Sequence, residues 1–319
     1  SVNTILDTIH DKLNVKFDIK TLVAGDTALK KTGNALPDDV FESIKSSDAC
    51  LKAPVGESAK DVIVALRQKL DLYANIRPAK SYPNTPALRN DIDLVIVREN
   101  TEDLYTGQEF QIDDTAVALR IISEKASKRI AKHAFETAMD RNQQKRVTCV
   151  HKSNVMKLTD GIFSKSCEDI SKDYPDVRFD QMYVDACAMN LIRAPHEFDV
   201  IVTTNLFGDI LSDESSQVVG GLGMAPAANL GDNFGLFEPV HGAAFDIAGK
   251  QIANPSSFIL STKMMLDWLG SKNNDSDCIS AGKKLEDVVL DLINSGITTK
   301  DIGGENSTQE FTSEITSRL

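Results

Sequence analysis

The chain has 319 residues, about two domains' worth, and an ordinary globular composition with 41% hydrophobic and 26% charged residues. Its net charge of −12 argues against nucleic acid or an anionic membrane surface as a partner. The five cysteines are odd in number and show no CxxC spacing, which predicts reduced thiols in a cytoplasmic protein. No apolar run approaches the roughly 20 residues that a membrane-spanning helix needs.

The first part of the chain predicts helices over residues 2–13, 40–46 and 58–70 and short strands over 18–23 and 48–53. The middle helix is expected to start at Pro37, which two aspartates follow. The chain opens directly on a helical pattern without an initiator methionine. We therefore expect its natural N-terminus to lie further upstream.

The rest of the chain alternates between strands and helices. Strands are predicted over 72–78, 93–97, 146–150, 182–184 and 199–204, and helices over 123–141, 160–171, from Asp209 onward, 255–269 and 281–294. Pro78 suggests an edge strand or a strand end. This alternation favours an α/β architecture with a largely parallel sheet. The glycines of 220–223 do not match GxGxxG and follow no strand, so no Rossmann motif is present.

Charged side chains follow four of the predicted strands. They are Arg98, Lys152, Asp185 and Asp209. Open α/β sheets bind ligands outside the carboxyl ends of their strands. The four endings therefore predict one shared site.

Two carboxylates of this set suggest a metal. Asp209 and Asp213 are four residues apart, so a helix places both on one face, where they repel by about 0.2–0.5 kcal/mol. A hard divalent cation such as Mg²⁺ or Mn²⁺ would relieve that repulsion, with Asp185 as a third ligand. The alternative is that Asp209 and Asp213 are first-turn residues stabilised by the helix dipole and that Asp185 caps the next helix.

Arginine recognises carboxylates through planar, bidentate hydrogen bonds, and Arg67, Arg77 and Arg98 are candidates for that role. Lys152 and Tyr105 could form an acid–base pair. Each of these residues, taken singly, is more often structural. Together with the aspartates they indicate a metal-dependent enzyme acting on a small polycarboxylate, and a redox step does not follow from them alone.

Five blocks of sequence closely resemble the β-decarboxylating dehydrogenases, a family that includes 3-isopropylmalate, isocitrate, homoisocitrate and tartrate dehydrogenases. They are LYANIRP (72–78), VRENTE (97–102), HKSNVM (151–156), NLFGDILSD (205–213) and residues 238–255. The resemblance runs from about residue 25 to 304. It implies an α/β fold of two domains with a mixed sheet and no Rossmann motif. Residues 1–72 and 220–319 would form the cofactor domain, and residues 73–219 the substrate and dimerisation domain.

The resemblance also implies oxidation of a 2-hydroxyl by a nicotinamide cofactor, followed by loss of the 3-carboxylate as CO₂. It assigns the metal ligands to Asp209, Asp213 and the partner subunit's Asp185, the carboxylate clamp to Arg67, Arg77 and Arg98, the general base to the partner subunit's Lys152, and the acid to Tyr105. A homodimer or tetramer would then build each site across an interface. The family's N-terminal strand and glycine-rich loop have no match in this sequence.

Cofactor choice depends on the segment after residue 238. Asp246 matches the family's acidic residue that binds the adenosine ribose, and a carboxylate there repels a 2′-phosphate, which favours NAD over NADP. Phe245 stands where proline is commoner. The resemblance places cofactor contacts at Glu238, His241, Gly242, Asp246 and Asn254. For His241, a hydrogen-bonded loop histidine is the alternative.

Substrate choice depends on the helix that leads to Arg67, which resembles that of archaeal members acting on 3-isopropylmalate. Ile63 and Val64 offer an apolar patch for an isopropyl group, which implies a role in leucine biosynthesis. The alternatives are that both residues pack into the core, or that Lys60 binds the distal carboxylate of isocitrate or homoisocitrate. A non-catalytic regulatory subunit is the alternative of another class, and the presence of Lys152 and Tyr105 argues against it.

Overall fold

The structure is a computed structural model that describes residues 2–319. The strands are β1 Cys50–Leu51, β2 Ala74–Lys80, β3 Asp93–Glu99, β4 Glu109–Ile112, β5 Thr115–Ala118, β6 Arg146–His151, β7 Arg178–Tyr183, β8 Val200–Thr203, β9 Pro226–Leu230 and β10 Gly235–Pro239. The α-helices are α1 Val2–Lys12, α2 Asp26–Thr32, α3 Asp38–Lys45, α4 Ala65–Lys69, α5 Glu124–Arg141, α6 Thr159–Ser171, α7 Val184–Arg193, α8 Asn205–Val218, α9 Ser256–Asn273, α10 Ser276–Asn294 and α11 Thr308–Arg318.

Eight strands form one mixed sheet in the order β1-β10-β9-β2-β3-β8-β6-β7, and β4 and β5 form a separate hairpin. The run β3-β8-β6-β7 is parallel, whereas β10, β9, β2 and β3 pair antiparallel with one another. The expected α/β fold with a mixed sheet is confirmed. The sheet contains strands from both predicted domains, and the division into two domains stays a prediction.

Helices cover both faces of the sheet because its strand residues alternate in direction. In β3, Val95 and Val97 belong to the core beneath α5 and α9, whereas Leu94 and Ile96 belong to the core beneath α7 and α8. Strand β8 shows the same alternation, with Ile201 on the α7 and α8 side. Because these strands are buried on both faces, their sequences are continuous apolar runs.

Most of the predicted elements are confirmed, and one is wrong. Residues 18–23 form no strand, and their apolar side chains Ile19, Leu22 and Val23 are exposed. A strand needs a paired neighbour, and this segment has none among residues 2–319. The helix predicted over 58–70 contains a π-helical turn, Lys60–Val64, before α4.

Pro78 and the start of α8 also differ from expectation. Pro78 lies in the central strand β2, but β9 pairs only with Ala74–Ile76 of that strand. At Pro78, β2 therefore has no neighbour on the β9 side, and no backbone N–H donor is needed there. Helix α8 begins at Asn205 instead of Asp209, and Gly208 is part of it. A Cβ at Gly208 would lie 2.5 Å from Arg98 Cγ, so glycine here allows α8 to pack closely on Arg98.

All five cysteines are free thiols, and four of them are buried, in agreement with the prediction. Among residues 2–319, none of the helices combines the length and the apolar character needed to cross a membrane.

Candidate active site

The site begins as a row of polar side chains across the sheet. Arg98 in β3 is paired with Asn75 in β2, and Asn75 is paired with Asn229 in β9. Paired residues of neighbouring strands point to the same face, so their side chains meet. Asn75 Nδ2 donates to Asn229 Oδ1 over 2.7 Å, and Arg77 Nε donates to Asn75 Oδ1 over 2.7 Å.

Asp209 is the centre of the candidate site. Its carboxylate accepts a hydrogen bond from the Tyr105 hydroxyl over 2.5 Å and forms an ion pair with the almost fully buried Arg98. Arg77 Nη2 lies 3.5 Å from the same carboxylate, and Arg77 Nη1 lies 3.2 Å from Asp213 Oδ1. The structure therefore brings together the predicted metal ligands Asp209 and Asp213, two predicted clamp arginines and the predicted acid.

Helix α8 explains the position of the Arg98 guanidinium. Asn205 Oδ1, at the first position of α8, accepts hydrogen bonds from Arg98 Nε over 3.0 Å and from Nη2 over 2.7 Å. Gly208 leaves room for the stem of Arg98 beneath the helix. The guanidinium is thus fixed with one edge on an amide and the remaining nitrogen on Asp209, which holds its plane in one orientation.

The electrostatics of the cluster reflect burial and crowding. Burial, with the charges of Arg98 and Arg67, lowers the pKa of Arg77 to about 10. Burial alone would raise the pKa of Asp209, but Arg98, Arg77 and the Tyr105 hydroxyl outweigh it and hold that pKa below its usual value. Burial raises the pKa of Tyr105, and the carboxylate of Asp209 adds to the rise. Tyr105 is therefore protonated and able to donate near neutral pH.

Arg67 joins the cluster through a second buried network. Its Nε donates to Asn229 Oδ1 over 2.9 Å, and its Nη2 lies 3.4 Å from Glu238 Oε1. Lys52 Nζ lies 2.8 Å from the other oxygen of Glu238. Burial would raise the pKa of Glu238, but Lys52 and Arg67 bring it down to about 2. The carboxylate predicted to contact a cofactor is therefore committed to two internal cations.

Lys152 and Asp185 lie further along the same edge of the sheet and form an ion pair with each other. The suggested pairing of Lys152 with Tyr105 is not made within one chain, because Tyr105 contacts Asp209 instead. Asp185 likewise does not join Asp209 and Asp213: no three His, Cys, Asp or Glu side chains of residues 2–319 are grouped to hold a metal. Strand β6 separates β7 from β8, and neighbouring strands are about 4.8 Å apart.

The predicted cofactor residues divide into two groups. His241 and Gly242 line a cavity of about 280 Å³ together with Pro54, Ala243, Ala244 and Ile247. Asp246 is exposed in the short helical turn of the same loop. In contrast, the Asn254 amide is buried and donates to Asp301 Oδ2 over 3.0 Å. The cavity with its small lining residues suits a flat nucleotide ring better than the sites of Glu238 or Asn254 do.

The two apolar substrate residues also differ from each other. Ile63 packs against the core cluster that contains Leu66 and Leu72, which is the structural role considered above. Val64 is half-buried and closes the π-helical turn that precedes α4 and Arg67. Such turns are frequent at functional sites. Both side chains are only partly buried, so both stay candidates for contact with an apolar substrate group.

Several residues of the site were not predicted from sequence. Asn229 accepts hydrogen bonds from Arg67 and Asn75, Lys52 neutralises Glu238, and Asn205 orients Arg98. An asparagine inside the apolar run of β9 was the one available signal, since buried amides require partners. Lys52 gave no local signal, and Asn205 opens the block 205–213 but was assigned no role.

The chain is similar to known proteins over nearly its whole length. The family model described as isocitrate/isopropylmalate dehydrogenase matches residues 1–317. A 3-isopropylmalate dehydrogenase of Saccharolobus solfataricus is 50% identical over 98% of this chain and 92% of its own, and one of Archaeoglobus fulgidus is 49% identical over 98% and 93%. The crystal structure of isocitrate dehydrogenase from Methylococcus capsulatus superposes with a TM-score of 0.90 and 40% identity, covering 99% of this chain and 95% of that one.

Proposed function

Because this chain belongs to the isocitrate/isopropylmalate dehydrogenase family, we propose that it catalyses the NAD-dependent oxidative decarboxylation of 3-isopropylmalate. The observation that carries the proposal is the convergence of Arg77, Arg98 and Tyr105 on Asp209, with Arg67 beside them. Buried guanidinium groups are suited to a substrate with two carboxylates. The similarity to enzymes named 3-isopropylmalate dehydrogenase supports this choice of substrate. A role in leucine biosynthesis and a cytoplasmic location are part of the same proposal.

In the proposed reaction the three arginines bind and orient the substrate carboxylates. The partner subunit's Lys152 takes the proton of the 2-hydroxyl. The nicotinamide of NAD, when bound, supplies the acceptor for the hydride. The 3-carboxylate then leaves as CO₂. Tyr105 gives a proton to the carbon that remains, which its raised pKa allows.

A divalent metal fits the donor set of α8. Asp209 and Asp213 supply carboxylate oxygens from one helix face, which is the ligand type that Mg²⁺ and Mn²⁺ prefer. When bound, the metal would stabilise negative charge on the 2-oxygen. The third carboxylate would be the partner subunit's Asp185, and the base that completes the site would be the partner subunit's Lys152.

Assembly into a homodimer or tetramer is supported by the surface around these residues. Large apolar side chains of the α6–α8 region and of the β4–β5 hairpin are exposed: Phe110, Ile112, Val155, Leu158, Ile162, Met189, Ile192 and Ile210. Extended apolar surfaces of this kind are typical of subunit interfaces. Lys152 and Asp185 lie in this region, which is where a shared site requires them.

The same chemistry on isocitrate or homoisocitrate is the second candidate. Ile63, one of the two apolar residues on which the choice of 3-isopropylmalate was based, packs with part of its surface against a core cluster. Lys60, exposed in the π-helical turn, would then bind the distal carboxylate. The similarity to the Methylococcus capsulatus isocitrate dehydrogenase structure keeps this candidate open.

The first experiment is to measure NADH formation with Mg²⁺ or Mn²⁺ and each of the three acids as sole substrate. We expect kcat/KM for 3-isopropylmalate to exceed the values for isocitrate and homoisocitrate by about 10-fold or more, since an isopropyl group and a carboxylate need opposite surroundings. A preference for either tricarboxylate would favour the second candidate. No turnover of any of them would contradict the enzyme proposal and favour a regulatory subunit.

A second prediction concerns the choice between NAD and NADP. We expect Asp246→Asn to reduce the preference for NAD by about 10-fold, because the carboxylate no longer repels the 2′-phosphate of NADP. Fluorescence titration with NADH and NADPH measures both dissociation constants without turnover. Asp39→Asn, the same change of charge on exposed residue 39 of α3, is the control and should leave the ratio unchanged. An unaltered ratio in Asp246→Asn would exclude this residue as the determinant.

A further inference from the structure

Arg120 is a nearly buried arginine that has no part in the site described above. It follows β5, its side chain is 13% exposed, and it forms ion pairs with Asp103 and Asp160, both of which are fully buried. Two buried carboxylates around one guanidinium need many hydrogen bonds to compensate for their desolvation. This cluster therefore needs an explanation.

Every N–H of the guanidinium has an acceptor. Nε donates to Asp103 Oδ1 over 2.7 Å, Nη1 donates to Asp160, and Nη2 donates to Thr204 Oγ1 over 2.8 Å. The remaining contacts are to the second oxygen of Asp103 and the sulfur of Met156. The guanidinium also lies 4.8 Å from the centre of a phenylalanine ring in α8. Lysine cannot reproduce this planar fork of donors.

The Asp103 arm of this cluster leads to Tyr105 and to α8. Asp103 Oδ1 accepts from the Leu104 N–H over 3.0 Å, and Oδ2 accepts from the Leu206 N–H over 3.1 Å. Leu104 precedes Tyr105, and Leu206 lies in the first turn of the helix that carries Asp209. The φ angle of Asp103 is +68°, which is strained for a residue with a side chain and must be held by its contacts.

The Asp160 arm leads to Lys152. Asp160, in the first turn of α6, accepts a hydrogen bond at Oδ2 from the Lys152 N–H over 2.5 Å. This bond fixes the backbone at the point where β6 ends and the lysine side chain departs. The two arms meet at Arg120, whose guanidinium contacts both Asp103 and Asp160.

We propose that Arg120 is a positioning residue that holds the Tyr105 segment and the Lys152 segment in a fixed relation through Asp103 and Asp160. The roles of Tyr105 and Lys152 rest on the proposed function. In the proposed dimer, Tyr105 serves the site of its own chain, whereas Lys152 reaches into the neighbouring one. One Arg120 side chain would then keep elements of two active sites in register.

Arg141 provides a matched control for the test. It is 17% exposed and also pairs with a fully buried carboxylate, Asp199, over 2.9 Å, and with Asp93 over 2.9 Å. These partners lie at the amino ends of β3 and β8, whereas Arg120 lies near the carboxyl ends. We expect Arg120→Lys to lower kcat about 10²-fold through misplacement of the reacting groups, and Arg141→Lys to change it by less than about 3-fold.

Equal losses of kcat in the two variants, or a change confined to KM in Arg120→Lys, would overturn the proposal, because a general stabilising role predicts no difference between the two arginines. Thermal unfolding midpoints of both variants show whether they are comparably folded. If the wild-type enzyme turns over none of the three acids, the proposed function fails, and the following measurement still tests the positioning role.

Nuclear magnetic resonance of ¹³C-methylated lysines reads the Lys152 environment without substrate or cofactor, with the resonance assigned through Lys152→Arg. We expect Asp160→Asn and Arg120→Lys to shift this resonance, Asp103→Asn to shift it less because it loosens the shared guanidinium, and Arg141→Lys to leave it in place. If Arg120→Lys does not fold, Asp160→Asn still tests the lysine arm. An unshifted resonance in Asp160→Asn would overturn the proposal.

Discussion

Replacing Asp209 with asparagine is expected to lower kcat about 10³-fold while the protein stays folded. The carboxylate is contacted by Arg98, Arg77 and Tyr105 and is a proposed metal ligand, so the substitution removes a charge at the centre of the site. The new amide also turns N–H donors toward the arginine donors. Steady-state NADH formation at saturating substrate and Mg²⁺ measures the effect.

Glu214→Gln is the control for this prediction. Glu214 lies on the same helix, five residues beyond Asp209, and takes part in none of the contacts described above. Its activity should stay within about 2-fold of the wild type, as for a substitution that touches no reacting group. Binding of Mn²⁺, followed by electron paramagnetic resonance, should weaken by more than about 10-fold in Asp209→Asn alone. Unchanged Mn²⁺ affinity would contradict the assignment of Asp209 as a ligand.

The largest expected effect on stability belongs to Glu238. At pH 7, Glu238→Gln should reduce the free energy of unfolding by about 3 kcal/mol. This value follows because the pKa of Glu238 is about 2 in the folded protein, whereas its ordinary value is near 4.5. The substitution leaves the buried charges of Lys52 and Arg67 without their counter-charge. Urea unfolding at matched protein concentrations measures the difference.

The pH dependence of that difference has a definite sign. Because the pKa of Glu238 is lowered on folding, its stabilisation is fully present above about pH 4.5 and is lost as the pH falls toward 2. The gap between wild type and Glu238→Gln should thus fall to less than half at pH 3. Glu286→Gln, which removes a partly exposed partner of Lys263, should cost less than about 1 kcal/mol. A gap that does not change with pH would contradict this account.

The local pattern of residues was sufficient to predict most helices and strands and to predict at which edge of the sheet the site lies. Apolar runs bounded by polar residues predicted β3, β6 and β8, and the charged residues after them indicated a common site because parallel strands end at one edge. Residues 18–23 show the limit of that pattern. A strand exists only when another strand pairs with it, which three apolar side chains in a short segment do not reveal.

The sequence by itself determined the family, the α/β class and the residue types of the site: three arginines, a tyrosine and two aspartates at helical spacing. Only the tertiary structure decided how they are connected. The register of β2, β3 and β9 places Asn75 and Asn229 between the arginines, and the close approach of α8 to β3 explains Gly208. Arg120 contacts Asp160, which is 40 positions away in the chain, and Thr204, which is 84 positions away. Such contacts depend on how distant strands pair and helices pack, and no local pattern of residues encodes that.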